Sequence, residues 1–222
     1  MKKVFDKYKH ILWILIYMAV YLSWFFILES KVTTYRIIHT MADDKIPFCE
    51  FFVIPYYLWF LYVTVCVLLA AFRDKNEYYR TIAFLMTGMT VFLLISTFWP
   101  NGHNLRPMTM PRDNICSRMV SKLYLTDTPT NLWPSIHVYN SIGAHLSIVN
   151  SEYTKKHKVV RCISLVICLS IICSTMFIKQ HSLFDVCTAL MMALVVGLIV
   201  YRRELREAFS THSQYRLRRS HI

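Results

Sequence analysis

Arg106, His137, His181 and Asp185 stand, in that order along the chain, at the ends of apolar segments. Asp185 follows His181 by four residues, the helical spacing that puts two side chains on one face. It can therefore accept a hydrogen bond from one ring nitrogen and leave the other free. Such a pair suits a histidine that attacks phosphorus, because the carboxylate fixes the tautomer and stabilises the positive charge that develops. It also fits a purely structural hydrogen bond. His137 closes the run Pro134-Ser135-Ile136-His137. Proline suits a helix start, and the free amides of a first turn with the Ser135 hydroxyl make a phosphate site without glycine. An adjacent histidine could protonate a departing oxygen and then take a proton from water, although a polar cap on a membrane helix has the same appearance. Arg106 offers a planar group that can hold two phosphate oxygens and offset their charge; alone, it would read as an ordinary surface or headgroup contact.

These residues must be positioned by membrane helices. The chain has 222 residues, 55% hydrophobic and 17% charged, and its charges are clustered, which points to one all-α polytopic membrane domain spanning 1–222. Six spans are expected, at about 10–28, 51–72, 81–98, 132–150, 159–178 and 182–200, each near the ~20 residues that cross a hydrocarbon core. The first has no small-residue cleavage site after it and reads as a retained span. The fourth is the weakest, interrupted by Ser135, His137, Asn140, Ser141, His145, Ser147 and Asn150; hydropathy alone gives five.

Charge favours six. Lys2, Lys3, Lys7 and Lys9, then Arg73, Lys75 and Arg80, then Lys155, Lys156, Lys158 and Arg161, and finally Arg202, Arg203, Arg206, Arg216, Arg218 and Arg219 hold most of the 25 Lys and Arg. With six helices all four clusters are cytoplasmic, as are both termini. The net charge of +12 is thus a matter of orientation. No nucleic acid is expected as partner, while contact with anionic lipid at the cytoplasmic face remains open. Residues 201–222 read as a polar tail, helical from Arg202 to Phe209.

Outside, 29–50 suggests a short interfacial helix through Tyr35, Ile37, Ile38 and Met41 that ends at Asp43-Asp44. The larger loop, 99–131, brings Arg106 back to the membrane surface near His137. Five of the seven cysteines fall in spans; Cys49 and Cys116 are the two that could form an outer disulfide. No CxxC pair, HExxH element, P-loop or dinucleotide glycine pattern occurs, so no metal or other cofactor has sequence support. The key groups cluster at one end of the helices and no halves repeat a broken span, which argues against a transporter.

Taken in order, these elements resemble the three motifs of the type 2 phosphatidic acid phosphatase superfamily, a group of membrane phosphatases and lipid phosphotransferases. Its first motif ends in Arg-Pro, as Arg106-Pro107 does; its second reads Pro-Ser-x-His, as 134–137 does; its third has a serine seven residues before a histidine and an aspartate four after it, as Ser174, His181 and Asp185 do. The resemblance implies a six-helix bundle in which His181 is the nucleophile, Asp185 its partner and His137 the general acid and base. Arg106, Ser135 and the Ile136 amide would be phosphate contacts.

The departures are specific. The familiar phosphatase pattern has lysine where this chain has Trp99, glycine at Ile136 and arginine at Thr175. Ile136 is a mild change, since a backbone amide donates from any residue except proline, and the related inositol phosphorylceramide synthases often carry a bulky aliphatic there. For the lost cations, Lys179, Arg112, Arg118 or Lys122 could substitute. The expected activity is metal-independent hydrolysis of a lipid phosphate monoester at the outer surface of the plasma membrane, through a phosphohistidine. A headgroup phosphotransferase or phosphodiesterase and a non-catalytic lipid-binding protein are the alternatives. The expected partner is a membrane lipid phosphate or phospholipid, and the oligomeric state is left open.

Overall fold

A computed structural model describes residues 11–31 and 34–202. The lysines at 2, 3, 7 and 9 and the tail from 203 onward, with its expected helix and arginines, lie outside the described residues. Among those described, the chain is mostly helical: α1 (Leu12–Lys31), α2 (Val53–Arg73), α3 (Lys75–Phe98), α4 (Ile115–Thr126), α5 (Ile136–Asn150), α6 (Lys158–Phe177) and α7 (Leu183–Val200). Helices satisfy every backbone group internally, which a lipid surround requires. Five of them, α1, α2, α3, α6 and α7, are long and apolar enough to cross a membrane. Large apolar side chains project outward from all five, among them Trp13, Phe26, Phe60, Phe98, Val166 and Leu194, the surface expected of helices solvated by lipid.

The expected fourth span differs. Its helix, α5, starts only at Ile136 and has 15 residues, about 22 Å of rise. It sits at the centre, packed on α2, α3, α6 and α7, and its polar Asn140, Ser141 and Ser147 are buried there. Two glycines allow this. A Cβ on Gly88 of α3 would lie 2.0 Å from the Tyr139 ring, and one on Gly143 of α5 would lie 2.6 Å from the Phe84 ring. The two rings stack at 4.5 Å, and the Tyr139 hydroxyl donates to the Phe84 carbonyl at 2.8 Å.

Helix α3 starts earlier than the hydropathy suggested. Asp74 alone separates it from α2, and its carboxylate accepts the amides of Asn76 and Glu77, both at 2.8 Å, so the charged residues 75–80 already belong to the helix. At the other end of the bundle the expected interfacial helix is absent. Arg36–Ile37 (β1) instead pairs in parallel with Asn101–Gly102 (β2), and Asp43–Lys45 forms a 3-10 turn. The strand pair supplies backbone partners to both loops at once: Arg36 N donates to Pro100 O, and Ile38 N to Gly102 O. The expected loop 99–131 contains a helix, α4. Asn114 caps it, and Val120 and Leu123 bury against Val53, Tyr56 and Ile178. Cys49 and Cys116 are free thiols, as are the other five cysteines.

Candidate functional site

The site begins at the corner between α6 and α7. The Thr175 carbonyl accepts both the Gln180 and His181 amides, at 2.9 and 3.0 Å, and Lys179 takes a left-handed backbone, φ 54°, which ends α6 sharply. Helix α7 then starts under a dense cap. Ser182 Oγ accepts from Phe184 N and the Asp185 carboxylate accepts from Ser182 N at 2.9 Å. From a distant loop, Asp43 accepts from Leu183 N and from the Ser182 hydroxyl, both at 2.7 Å, and from the amide and hydroxyl of Thr40. Burial would raise the Asp43 pKa, but these hydrogen bonds overcome it and hold the carboxyl below the usual range.

His181 therefore lies just before α7, not on its outer turn as the spacing suggested. Its Nδ1 is 3.5 Å from Asp185 Oδ2 and makes no hydrogen bond, while that oxygen accepts from the Ser182 amide. Asp185 Oδ1 is also unpartnered. The carboxylate thus caps the helix and stands behind the imidazole at the same time.

His137, the second residue of α5, faces this corner, its ring 5.7 Å from that of His181. It is held between Tyr56 of α2, stacked at 4.4 Å, and Trp59, tilted at 4.5 Å. Ser135 caps α5 by accepting from Val138 N at 3.4 Å, and its own amide donates to the Asp185 carbonyl, so the starts of α5 and α7 abut. Ile136 is buried in an apolar cluster with Met89, Phe92 and Leu93.

Arg106 reaches the same corner but meets neutral acceptors. Its guanidinium donates to Gln180 Oε1 at 2.5 Å and to the carbonyls of Asp127 and Tyr124 at 2.6 and 3.2 Å. It lies 4.3 Å over the Tyr124 ring, with Nε buried and unpartnered. Burial lowers the Arg106 pKa, and nearby Asp127 opposes that. Burial pushes the Asp127 carboxyl up, against the hydrogen bond from Tyr56 and the charges of His181 and Arg106. His103 supports the corner from outside the bundle. Its Nδ1 accepts from Leu105 N and its Nε2 then donates to Gln180 O at 2.8 Å, and burial lowers its pKa to about 4.

The four candidate replacement clamps are dispersed. Lys179 donates to the carbonyls of Asp43 and Ile46, and burial lowers its pKa while Asp43 and Asp44 oppose it. Arg112 pairs with buried Glu50 at 3.0 Å. Arg118 pairs with Asp113 on the surface, and Lys122 is exposed on α4. At Trp99, where the familiar pattern has lysine, the Arg36 guanidinium lies 3.8 Å above the indole.

Tyr56, Asp127, Gln180, His103 and Asp43 all touch this site, and none of them stands out in the sequence as a site residue, Asp43 reading there only as the end of an interfacial helix. Gln180 had a signal in its adjacency to His181, and Asp127 in following α4; the others sit alone in loops or on an apolar helix. In comparisons with known proteins, no family model, curated protein or solved structure matches the chain.

Proposed function

We propose that the chain hydrolyses a lipid phosphate monoester at the outer surface of a membrane through a phosphohistidine. The observation that carries this reading is the 5.7 Å approach of the His137 and His181 rings, with Asp185 behind one and Arg106 at the same corner. In the first step the free Nε2 of His181 forms a bond to phosphorus as the bond to the lipid oxygen breaks, and that oxygen takes a proton from His137. In the second, His137 takes a proton from water, the resulting hydroxide displaces His181, and phosphate leaves. Arg106 would offer phosphate its unpartnered Nε and the N–H groups that its neutral acceptors leave free.

Two features of the fold support this reading. An apolar groove of about 470 Å³, lined by Leu94, Phe98, Trp99, Trp133 and Phe184 among others, adjoins the site through the neighbours of Ser135 and Asp185 and offers a place for a lipid chain. The described cationic clusters gather at the opposite end of the bundle. Cys49 N donates to Phe177 O, so α6 ends where α2 begins, and Glu152 N donates to the Glu77 carboxylate, so α5 ends where α3 begins. If α5 completes a sixth crossing, this end is cytoplasmic, with both termini on that side.

A second reading, transfer of a phospholipid headgroup to an alcohol, is favoured by the engagement of Lys179, Arg112 and Arg118 elsewhere: a phosphodiester carries less charge and needs fewer cations. Purified protein in mixed micelles, offered phosphatidate and polyprenyl phosphate beside phosphodiester lipids with alcohol acceptors, separates the two. Free phosphate that disappears in His181→Ala supports hydrolysis; a new phosphodiester lipid supports transfer; no His181-dependent product overturns both.

A further inference from the structure

A second carboxylate at this corner, Asp127, belongs to no motif. Asp127 is half-buried just after α4, and one of its oxygens, Oδ2, receives both the Tyr56 hydroxyl at 3.0 Å and Gln180 Nε2 at 2.8 Å. Each donor leads to a different part of the site. Through Tyr56 the path reaches His137, whose ring lies flat against the phenol at 4.4 Å and 29°. Through Gln180 it reaches Arg106, which donates to Gln180 Oε1, and the Asp127 carbonyl takes a second bond from the same guanidinium nitrogen. The chain Arg106–Gln180–Asp127–Tyr56–His137 thus passes from the cation to the acid around a single carboxylate.

We propose that Asp127, with Tyr56 and Gln180 as its two arms, is a positioning residue that fixes His137 and Arg106 on either side of the phosphate that His181 attacks. The inference rests on the phosphohistidine reading above. Stacking alone leaves a ring free to slide and turn in its plane; the hydroxyl tie stops the phenol from moving and so fixes the face against which His137 lies. On the other arm, a carboxylate in direct contact would neutralise Arg106. Interposing the neutral amide of Gln180 orients the guanidinium and leaves its charge for an anion. Neither Asp127 nor Tyr56 need touch the substrate.

The choice of leaving group makes a test that a merely structural role would not pass. An alkyl phosphate must have its departing oxygen protonated by His137, whereas a nitrophenyl phosphate leaves without that help. Wild type, His181→Ala, Tyr56→Phe and Asp127→Asn are compared in micelles on a long-chain alkyl phosphate and on a nitrophenyl phosphate ester, with melting midpoints as the check on folding. Tyr56→Phe keeps the ring and Asp127→Asn keeps the shape. Tyr56→Phe, which touches only the His137 arm, is expected to lower kcat on the alkyl phosphate about tenfold, the effect of one lost hydrogen bond, and to slow the nitrophenyl ester less; Asp127→Asn, which also loosens Arg106, is expected to slow both substrates, the alkyl phosphate more. Equal loss on both substrates, or none on either, in whichever variant folds, overturns the positioning role while His181-dependent turnover by wild type keeps the parent reading. No His181-dependent turnover of either substrate by wild type overturns both.

Discussion

Two corners of this bundle join consecutive membrane-length helices, and they are built in opposite ways. Between α2 and α3 a single residue, Asp74, makes the turn and caps the next helix with one carboxylate oxygen. Between α6 and α7 the chain spends residues 178–182 on the same task, with a left-handed lysine and ties to Asp43, His103, Tyr124 and Arg106 from three distant segments. A turn alone needs only the first arrangement. The second immobilises a backbone from which Gln180, His181 and Asp185 project, and it does so with groups more than 50 residues away in sequence. The corner is therefore shaped for what it carries.

Substitutions at the two corners should separate these roles. His181→Ala is expected to reduce phosphate release by about a thousandfold or more while leaving the melting midpoint nearly unchanged, as measured by product analysis and thermal unfolding in micelles. Asp43→Ala removes an acceptor from four donors, among them the buried Ser182 hydroxyl and the Leu183 amide. The expected loss is about 3 to 4 kcal/mol, read from denaturant midpoints, together with reduced turnover as the α7 start loosens.

His103 makes the α6–α7 corner pH-sensitive. Its pKa falls from 6.5 to about 4 in the folded protein, so between those values the unfolded chain binds a proton that the folded chain refuses. Stability should decline as pH drops from 6.5 towards 4, by up to roughly 3 kcal/mol, and unfolding midpoints across that range should lose much of their slope in His103→Gln. At the other corner, Asp74→Ala should cost about 1 kcal/mol and leave turnover unchanged. A large loss of activity there would erase the distinction between the corners.

The sequence made the five long helices legible because a run of some twenty apolar residues has few alternatives. It made the start of α5 legible too, since Pro134 and Ser135 mark a helix entry. It was less informative about α5 itself: a central helix walled by four others buries Asn140 and Ser141, the latter donating to the His137 carbonyl, so its hydropathy resembles a weak span. Helix α4 did leave a trace, in the Asn114 cap and the apolar spacing of Cys116, Val120 and Leu123, inside a loop that its prolines and charges made to look irregular. The supporting groups of the site left almost none. Tyr56 looks like one more aromatic on an apolar helix, and Asp127 like a loop carboxylate; their meeting depends on a fold that joins positions 71 residues apart.

Glu29, at the end of α1, accepts hydrogen bonds from Thr128, Thr130 and Asn131, the nearest of them 99 residues later. Ribosomes add roughly 5–20 residues per second, so this carboxylate waits for something like 5 to 20 s before its partners exist. Tyr17, whose hydroxyl meets Met86 and Thr90, waits nearly as long. During synthesis α1 must survive as a solitary helix in lipid, and its nearly uniform apolarity, with Tyr21 its one buried residue, equips it to do so.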